Sequence, residues 1–597
     1  MSEKDITWDL SEIFPSPTDS AVQKAMDELN SIADGFANKY RGKIKDLSAP
    51  HLLKCIEEFE ICRTKLEEIT LYATLSFAAN MIPSEIQTLY DKANTIRAKV
   101  EKTLAFFELE AGNLIYDKPQ IILEPVLKNY EHFLEKLHRQ VPHQLMEAEE
   151  KLIIEKDQFG VSAWEQLQSK WLGTRTFEVE VEGKKKVLSF TEAFGLYFHP
   201  DRATRESANK SINMLLEKDG EIFSSALRNI CNDWQNICER RKYDSSIRAS
   251  LMTNDIDEQT INNLLRTVED YAGLYQRYLK LKAKLMGLPK LGGHDVWAPL
   301  PNAPNVKFDY EKAKTLVIEA YKRFDEEFAF IAREMFARNH VDSSPRFGKQ
   351  GGAFCASWSN GKSSFILQSF NGVLADVFTF VHEMGHAIHN YYIHRNQTIL
   401  NGSEKYFPMI VAETASTFGE LLLTDLLLST AQSDKEKEEV LCRVLDEAGG
   451  STFKGTTRCR FEQSLYDAIK QGEFLDYGTI SKHWTTARDR VHGDVVDWSD
   501  EMKAEWGRVP HYYLANFRFY NYPYVYAQMF VYALYQKYLK EGKEFVPKFK
   551  KILSAGCSIS PVEIGKIIDL DITDPDFWKL GMKQYEHFLE ELEKIAK

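Results

Sequence analysis

A mostly α-helical fold is predicted for this chain on three observations. Leu, Ile, Ala, Lys and Glu recur at helical spacing over the first 110 residues, and helical runs dominate again from about 200 onward. Only two stretches alternate as strands do. A periodic, proline-free run from Val373 to Tyr392 carries His382-Glu383-Met384-Gly385-His386. A hydrophobic share of 44% is enough for a large core, and no run of 18 apolar residues is present to span a membrane.

Taken in order, the spacing predicts an N-terminal helical region over 1–115, as in His51-Leu-Leu-Lys-Cys-Ile-Glu-Glu-Phe-Glu-Ile-Cys62. A small helical insert domain follows over 116–195, and inside it Thr176–Phe190 alternates as a β-hairpin. The rest, 196–597, reads as one catalytic domain of long helices, broken by a proline loop at Ala298–Pro304. A second hairpin, Gly351–Phe370, is predicted to turn at Asn360-Gly361 directly before the His-Glu-x-x-His helix, placing a small β-sheet beside it. An open edge there would hold an extended peptide through main-chain hydrogen bonds, and Gly351 and Gly352 would permit close approach. A hairpin that only packs on the helix is the competing reading.

On a helix, His382 and His386 lie about 40° apart and one turn along the axis, so both imidazoles reach one metal ion from one face. Catalytic zinc takes three protein ligands and keeps a position for water, so a third ligand is needed. Glu413 is the best candidate, 27 positions after His386 in an apolar helical segment that begins near Pro408. A carboxylate placed there needs a partner, because an unpaired charge in apolar surroundings is costly. Glu420, one heptad on, is the rival ligand, otherwise suited to support a ligand histidine. Three histidines on one helix could not surround a tetrahedral ion, which leaves His389 to packing or to a supporting or substrate-contacting role. His394 reads as a solvated helix end. Glu383, beside the metal, is the expected general base: it accepts the proton of the zinc-bound water and passes it to the leaving amine.

These residues, with Gly351-Gly-Ala-Phe-Cys355, the opening Trp8-Asp-Leu-Ser-Glu-Ile-Phe14, Asp295-Val-Trp-Ala-Pro-Leu300 and a tyrosine-rich segment after His511, resemble the oligoendopeptidase F branch of the thimet-oligopeptidase-like zinc metallopeptidases. The resemblance runs nearly end to end. It implies a large helical ellipsoid with a deep central channel, one zinc ion per chain, and cleavage of internal bonds in short unstructured peptides. It also implies a histidine and a tyrosine over the zinc that steady the oxyanion, and these align with His511 and Tyr524. The chain reads Asn521-Tyr-Pro-Tyr-Val-Tyr526 where the family is closer to Phe-Tyr-Val-Tyr, so Tyr522 and Tyr526 stay open as alternatives. Most tyrosines of the segment must be packing residues.

A net charge of −13 argues against nucleic acid as a partner, and the resemblance implies oligopeptides as the substrates, with the oligomeric state open. Eight cysteines without C-x-x-C spacing are expected to be free thiols. The first ten residues lack a basic and then apolar leader, so the cytoplasm is the expected location. Two other functions use the same residues. A zinc carboxypeptidase or dipeptidyl carboxypeptidase needs a cationic clamp for a C-terminal carboxylate, for which Arg518 is the candidate. A non-catalytic peptide-binding protein is the other, and the intact Glu383 weighs against it.

Overall fold

The computed structural model describes residues 6–301 and 306–596, so the opening five residues and part of the Ala298–Pro304 loop lie outside the described residues. The fold is mostly α, as the spacing predicts: 72% of it is helical and its sheets are small. The strands, in chain order, are β1 (Thr176–Val181), β2 (Lys184–Ser189), β3 (Leu291–Gly292), β4 (Val341–Asp342), β5 (Phe354–Trp358), β6 (Ser363–Leu367) and β7 (Val496–Asp497). None of the described helices is long and apolar enough to cross a membrane. None of the eight cysteines forms a disulfide, and Cys355 alone among them is not fully buried.

The chain forms two compact units. One comprises Met1–Val141, Asn305–Leu426 and Lys537–Asp571; the other comprises Pro142–Pro304, Leu427–Gln536 and Ile572–Lys597.

The first unit opens with the helices Ser20–Tyr40, Ala49–Ala79, Ser84–Leu104 and Phe106–Asp117. Asp19 caps the first of these by accepting from the Ala21 N–H, and a proline in the first turn starts the second, where its missing N–H costs nothing. Their apolar faces meet around Phe36, Phe59 and Phe107, the last two stacked at 4.2 Å. A three-stranded sheet in the order β4-β6-β5 lies in the same unit, with β4 parallel and β5 antiparallel to β6, so β5 is an edge strand. Trp8 packs on Phe354 and Phe365 of this hairpin, at 6.3 and 6.2 Å between ring centres, which gives the opening Trp-Asp-Leu a structural role. The hairpin forms where the alternation predicts it and turns at Asn360-Gly361, although the positive φ falls on the next residue. Trp358 pairs with Ser363, leaving a four-residue loop in which Lys362 takes the positive φ of 47°. Gly361 is required for space instead, since a Cβ there would lie 2.2 Å from the Trp358 ring.

In the second unit β1 and β2 form an antiparallel hairpin closed by Glu182 and Gly183, with φ of 48° and 77°. Positive φ at both loop residues is what the twist of a two-residue hairpin demands. Asp295 is fully buried and bridges Arg202 and Arg205 at 2.9 and 2.8 Å, so the buried carboxylate beside the β3–β7 pair has its charge compensated.

Candidate metal centre

The His-Glu-x-x-His sequence lies on the helix Leu374–Asn396 of the first unit. Asp376 fixes its start by accepting from the Asn371 and Val373 N–H groups at 2.6 and 3.2 Å. Its last turn is tied to β5, where His394 Nε2 and Ser357 Oγ lie 2.8 Å apart. His394 is therefore not a solvated helix end; it is half-buried, and burial brings its imidazole down to about 4.

Glu413 stands between two helices, Met409–Ala412 and Thr414–Thr430, at φ −85° and ψ 9°. The break turns its carboxylate toward the first histidine pair. Gly385 lets the two segments touch: a Cβ at that position would lie 2.5 Å from Ala415 O and 2.5 Å from Ser416 Cα. The contact is backbone on backbone, so no side-chain movement could relieve a larger residue. The glycine inside the motif is thus part of what brings the third acid to the histidines. Tyr321, fully buried, supports the same place by donating to Val381 O at 2.7 Å.

Three ligand atoms result. His382 Nε2 lies 3.2 Å from His386 Nε2 and 3.2 Å from Glu413 Oε2, and His386 Nε2 lies 3.3 Å from the same oxygen. A tetrahedral ion with bonds of about 2.0–2.1 Å separates its ligand atoms by roughly 3.3 Å, so this triangle fits one metal ion. It is the one such donor group among the described residues. Glu420 takes the other side of His382, its Oε1 2.5 Å from Nδ1. A proton held on Nδ1 leaves the Nε2 lone pair facing the triangle. Ser416 Oγ donates to Glu413 Oε2 at 2.6 Å.

Glu383 is 7% exposed and makes no part of the triangle. Burial raises its carboxyl above the usual range, against the pull of His386 and His382. Cys355 on β5 is near enough to feel the Glu383 charge, and burial first and that carboxylate second push its thiol well up, so it is neutral. His389 is 5% exposed and packs edge-on against Phe407 at 5.5 Å; burial brings it down to about 3.

The edge strand has a defined open side. Ile366 N–H is directed to His340 O on the β4 side, so the Cys355–Ile366 pair of the β5–β6 ladder is a non-hydrogen-bonded one. Cys355 N–H and C=O therefore face the open edge, as does Ser357 N–H, which the Glu404 carboxylate accepts. Gly351 and Gly352, just before β5, have open space where a Cβ would stand.

His511 and the tyrosines belong to the second unit. Of the three candidates Tyr522 and Tyr526 are buried at 1% and 0% exposure, whereas Tyr524 is 40% exposed. Tyr522 Oη accepts from Ser250 Oγ and Asn254 Nδ2 at 3.1 and 2.9 Å, and Tyr526 packs edge-on against Trp578 at 5.0 Å. Tyr524 shares a partly exposed ring cluster with His511 and Tyr520, a residue that the motif reading passed over; the His511–Tyr520 rings stack at 4.9 Å. Arg518 is 2% exposed and donates to Phe517 O at 2.8 Å, so it does not present a clamp for a carboxylate.

The chain is similar to known peptidases over nearly its whole length. Residues 196–584 match Peptidase family M3, and residues 120–177 match Oligopeptidase F. The chain is 28% identical over 593 residues to Oligopeptidase PepF of Bacillus subtilis (strain 168), covering 99% of this chain and 87% of that protein. It is 27% identical to an Oligoendopeptidase F homolog of Lactococcus lactis subsp. lactis, covering 99% and 97%. Among solved structures, oligoendopeptidase-F from Enterococcus faecium superposes with a TM-score of 0.70 at 26% identity, covering 96% of this chain and 98% of that one. A chain from Chlamydophila abortus shares the fold with a TM-score of 0.88 at 21% identity, covering 99% and 98%. The chain belongs to peptidase family M3, in its oligoendopeptidase F branch.

Proposed function

We propose that the protein is a zinc-dependent oligoendopeptidase that hydrolyses internal bonds of short, unstructured peptides. The single observation that carries this reading is the triangle of His382, His386 and Glu413 atoms at 3.2–3.3 Å with Glu383 beside it. Zinc at that position supplies a Lewis acid that polarises a peptide carbonyl and acidifies water. Glu383 takes the proton from the attacking water and returns it to the leaving nitrogen; its raised carboxyl brings it closer to the working pH. Glu420 holds the Nδ1 proton of His382 and so keeps Nε2 free as a ligand atom. The Cys355 main-chain groups on the open edge of β5 hold the substrate backbone extended, a mode indifferent to side-chain identity. Tyr524 and His511 donate to the oxyanion; Tyr524 is preferred because Tyr522 and Tyr526 are committed to the interior. The printed names of the relatives, oligopeptidase and oligoendopeptidase, support short peptides as substrates.

The test is mass-spectrometric mapping of cuts in a mixed peptide library containing end-blocked members, with and without a chelator. Internal cuts in blocked peptides that vanish with the chelator and return with zinc are expected. Cuts confined to free C-termini would instead assign a carboxypeptidase, and cuts indifferent to the chelator would overturn the metal mechanism.

A further inference from the structure

The second unit carries a positively charged groove that lies wholly within it and that peptide hydrolysis leaves unused. The helices Gly455–Lys470 and Tyr477–His492 pack side by side. Along the second helix Ile480, Trp484, Ala487 and Val491 recur three or four residues apart and are buried. Trp484 meets Phe461 of the first helix edge-on at 5.3 Å and fixes the pair. The turn between the helices is closed by Gly472 at φ 76°, and the Glu473 N–H returns to Ala468 O at 2.9 Å.

Beside the buried stripe, Lys482, His483, Thr486 and Arg490 share one flank of the second helix. Arg460 and Ser464, one turn apart on the first helix, form the opposite wall, and Glu473 stands at one end. With the small side chain of Ala487 they enclose a pocket of about 370 Å³. Its charge is one-sided: three permanent cations and an imidazole face one carboxylate, in a chain whose net charge is −13. A cleft lined by one sign of charge concentrates the opposite ion.

Much of that charge is unspent. Lys482 is exposed, and its ammonium has no hydrogen bond or ion pair with any described residue. Arg490 reaches only Glu269, at 3.8 Å. Arg460 is held in place by Glu269 and Gln463 at 2.8 and 3.0 Å, and Glu473 lies 3.5 Å from His483 Nε2. Counting Glu269 behind the wall, the three cations still exceed the two carboxylates. No Phe, Tyr or Trp lines the pocket, so it offers charge and hydroxyls rather than a surface for an aromatic ring. Lys482 and Arg490 are eight residues apart, about 12 Å along the helix axis, a separation that suits several phosphates in a row better than one.

We propose that this groove binds linked phosphates, as an inorganic chain or as the tail of a nucleotide, with residues none of which belongs to the metal centre. Lys482 and Arg490 pair with the anion's two ends, the Thr486 hydroxyl donates between them, and Arg460 supplies the fixed wall.

The test measures dissociation constants by calorimetry on the full chain, with metal content checked before and after. Tripolyphosphate, ATP and orthophosphate are the probes, and chloride keeps the ionic strength equal. Tripolyphosphate is expected to bind at least about tenfold more tightly than orthophosphate, and the double variant Lys482→Gln, Arg490→Gln to weaken it by about 10–100-fold. Glu473→Gln, which removes the opposing charge, should tighten it. These positions are exposed, so the variants should melt close to wild type. ATP binding as tightly as tripolyphosphate identifies a nucleotide tail as the ligand; weaker ATP binding identifies an inorganic chain. Equal affinity for orthophosphate and tripolyphosphate overturns the proposal. So does a double variant that binds tripolyphosphate as wild type does, which would place the anion elsewhere, the metal centre included.

Discussion

At the scale of single residues, the proposed mechanism divides the site into groups that would hold a metal and groups that would move protons, and substitutions should separate them. Glu383→Gln preserves size and removes the proton acceptor, so metal content should stay normal while turnover falls by about 10²–10⁴ or more. Near-normal turnover with metal bound would dismiss Glu383 as the base. Glu413→Ala should emerge metal-free from dialysis. Glu420→Ala removes only the partner of His382 Nδ1, now seen at 2.5 Å, and should keep metal with an affinity lower by about 10–100-fold. If the Glu420 variant is the empty one, the two acids exchange roles. For the tyrosines, Tyr524→Phe should lower kcat by about 10²–10³ with little change in KM, the signature of a donor used only in the transition state. Tyr522→Phe should cost stability instead, because it strands Ser250 and Asn254. Equal kcat in wild type and all three tyrosine variants, Tyr526→Phe included, would move the oxyanion donor to His511.

At the scale of elements, the contact that matters is the backbone touch between Leu374–Asn396 and Thr414–Thr430 at Gly385. Gly385→Ala should destabilise by about 1–3 kcal/mol, a typical overpacking cost, and weaken metal binding more than any comparable change on the exposed face of the helix. Paired melting and metal-titration curves check this; an alanine variant that binds metal as tightly as wild type would show that the helices can separate without loss. This contact marks the limit of what the sequence discloses. His382, His386 and Glu383 are legible because a helix fixes their spacing to one another, whatever surrounds it. Glu413 is legible only as an acid in an apolar segment, since its approach depends on a helix break and a tertiary contact that no local period encodes. The motif glycine and Tyr321 are invisible for the same reason: their partners lie 30 or more residues away in sequence. Alternation locates the second hairpin and its turn at Asn360-Gly361; what it does not disclose is that the Trp358 ring, rather than loop geometry, requires glycine there. His394 is misjudged from position alone; an end of a helix is solvated only when no strand packs there.

At the scale of the whole molecule, all the metal-centre residues fall in the first unit and the tyrosines in the second. Metal binding should therefore raise hydrogen-exchange protection chiefly over 374–396 and 409–426 and leave the β1–β2 hairpin unchanged. Protection that rises evenly over both units would contradict a local metal centre. The helical class itself is readable from periodicity, whereas the partition into two units is not, because each unit is assembled from three separate chain segments. The open side of β5 has one more consequence. On the proposed reading, a strand that offers a lone N–H and C=O at Cys355 would recognise the peptide bond itself, so what it would select is not an alphabet of side chains but an unmet capacity for pairing. Native proteins have already spent that capacity on their own ladders and guarded their edges. An enzyme reading it would distinguish folded chain from debris by hydrogen-bond saturation.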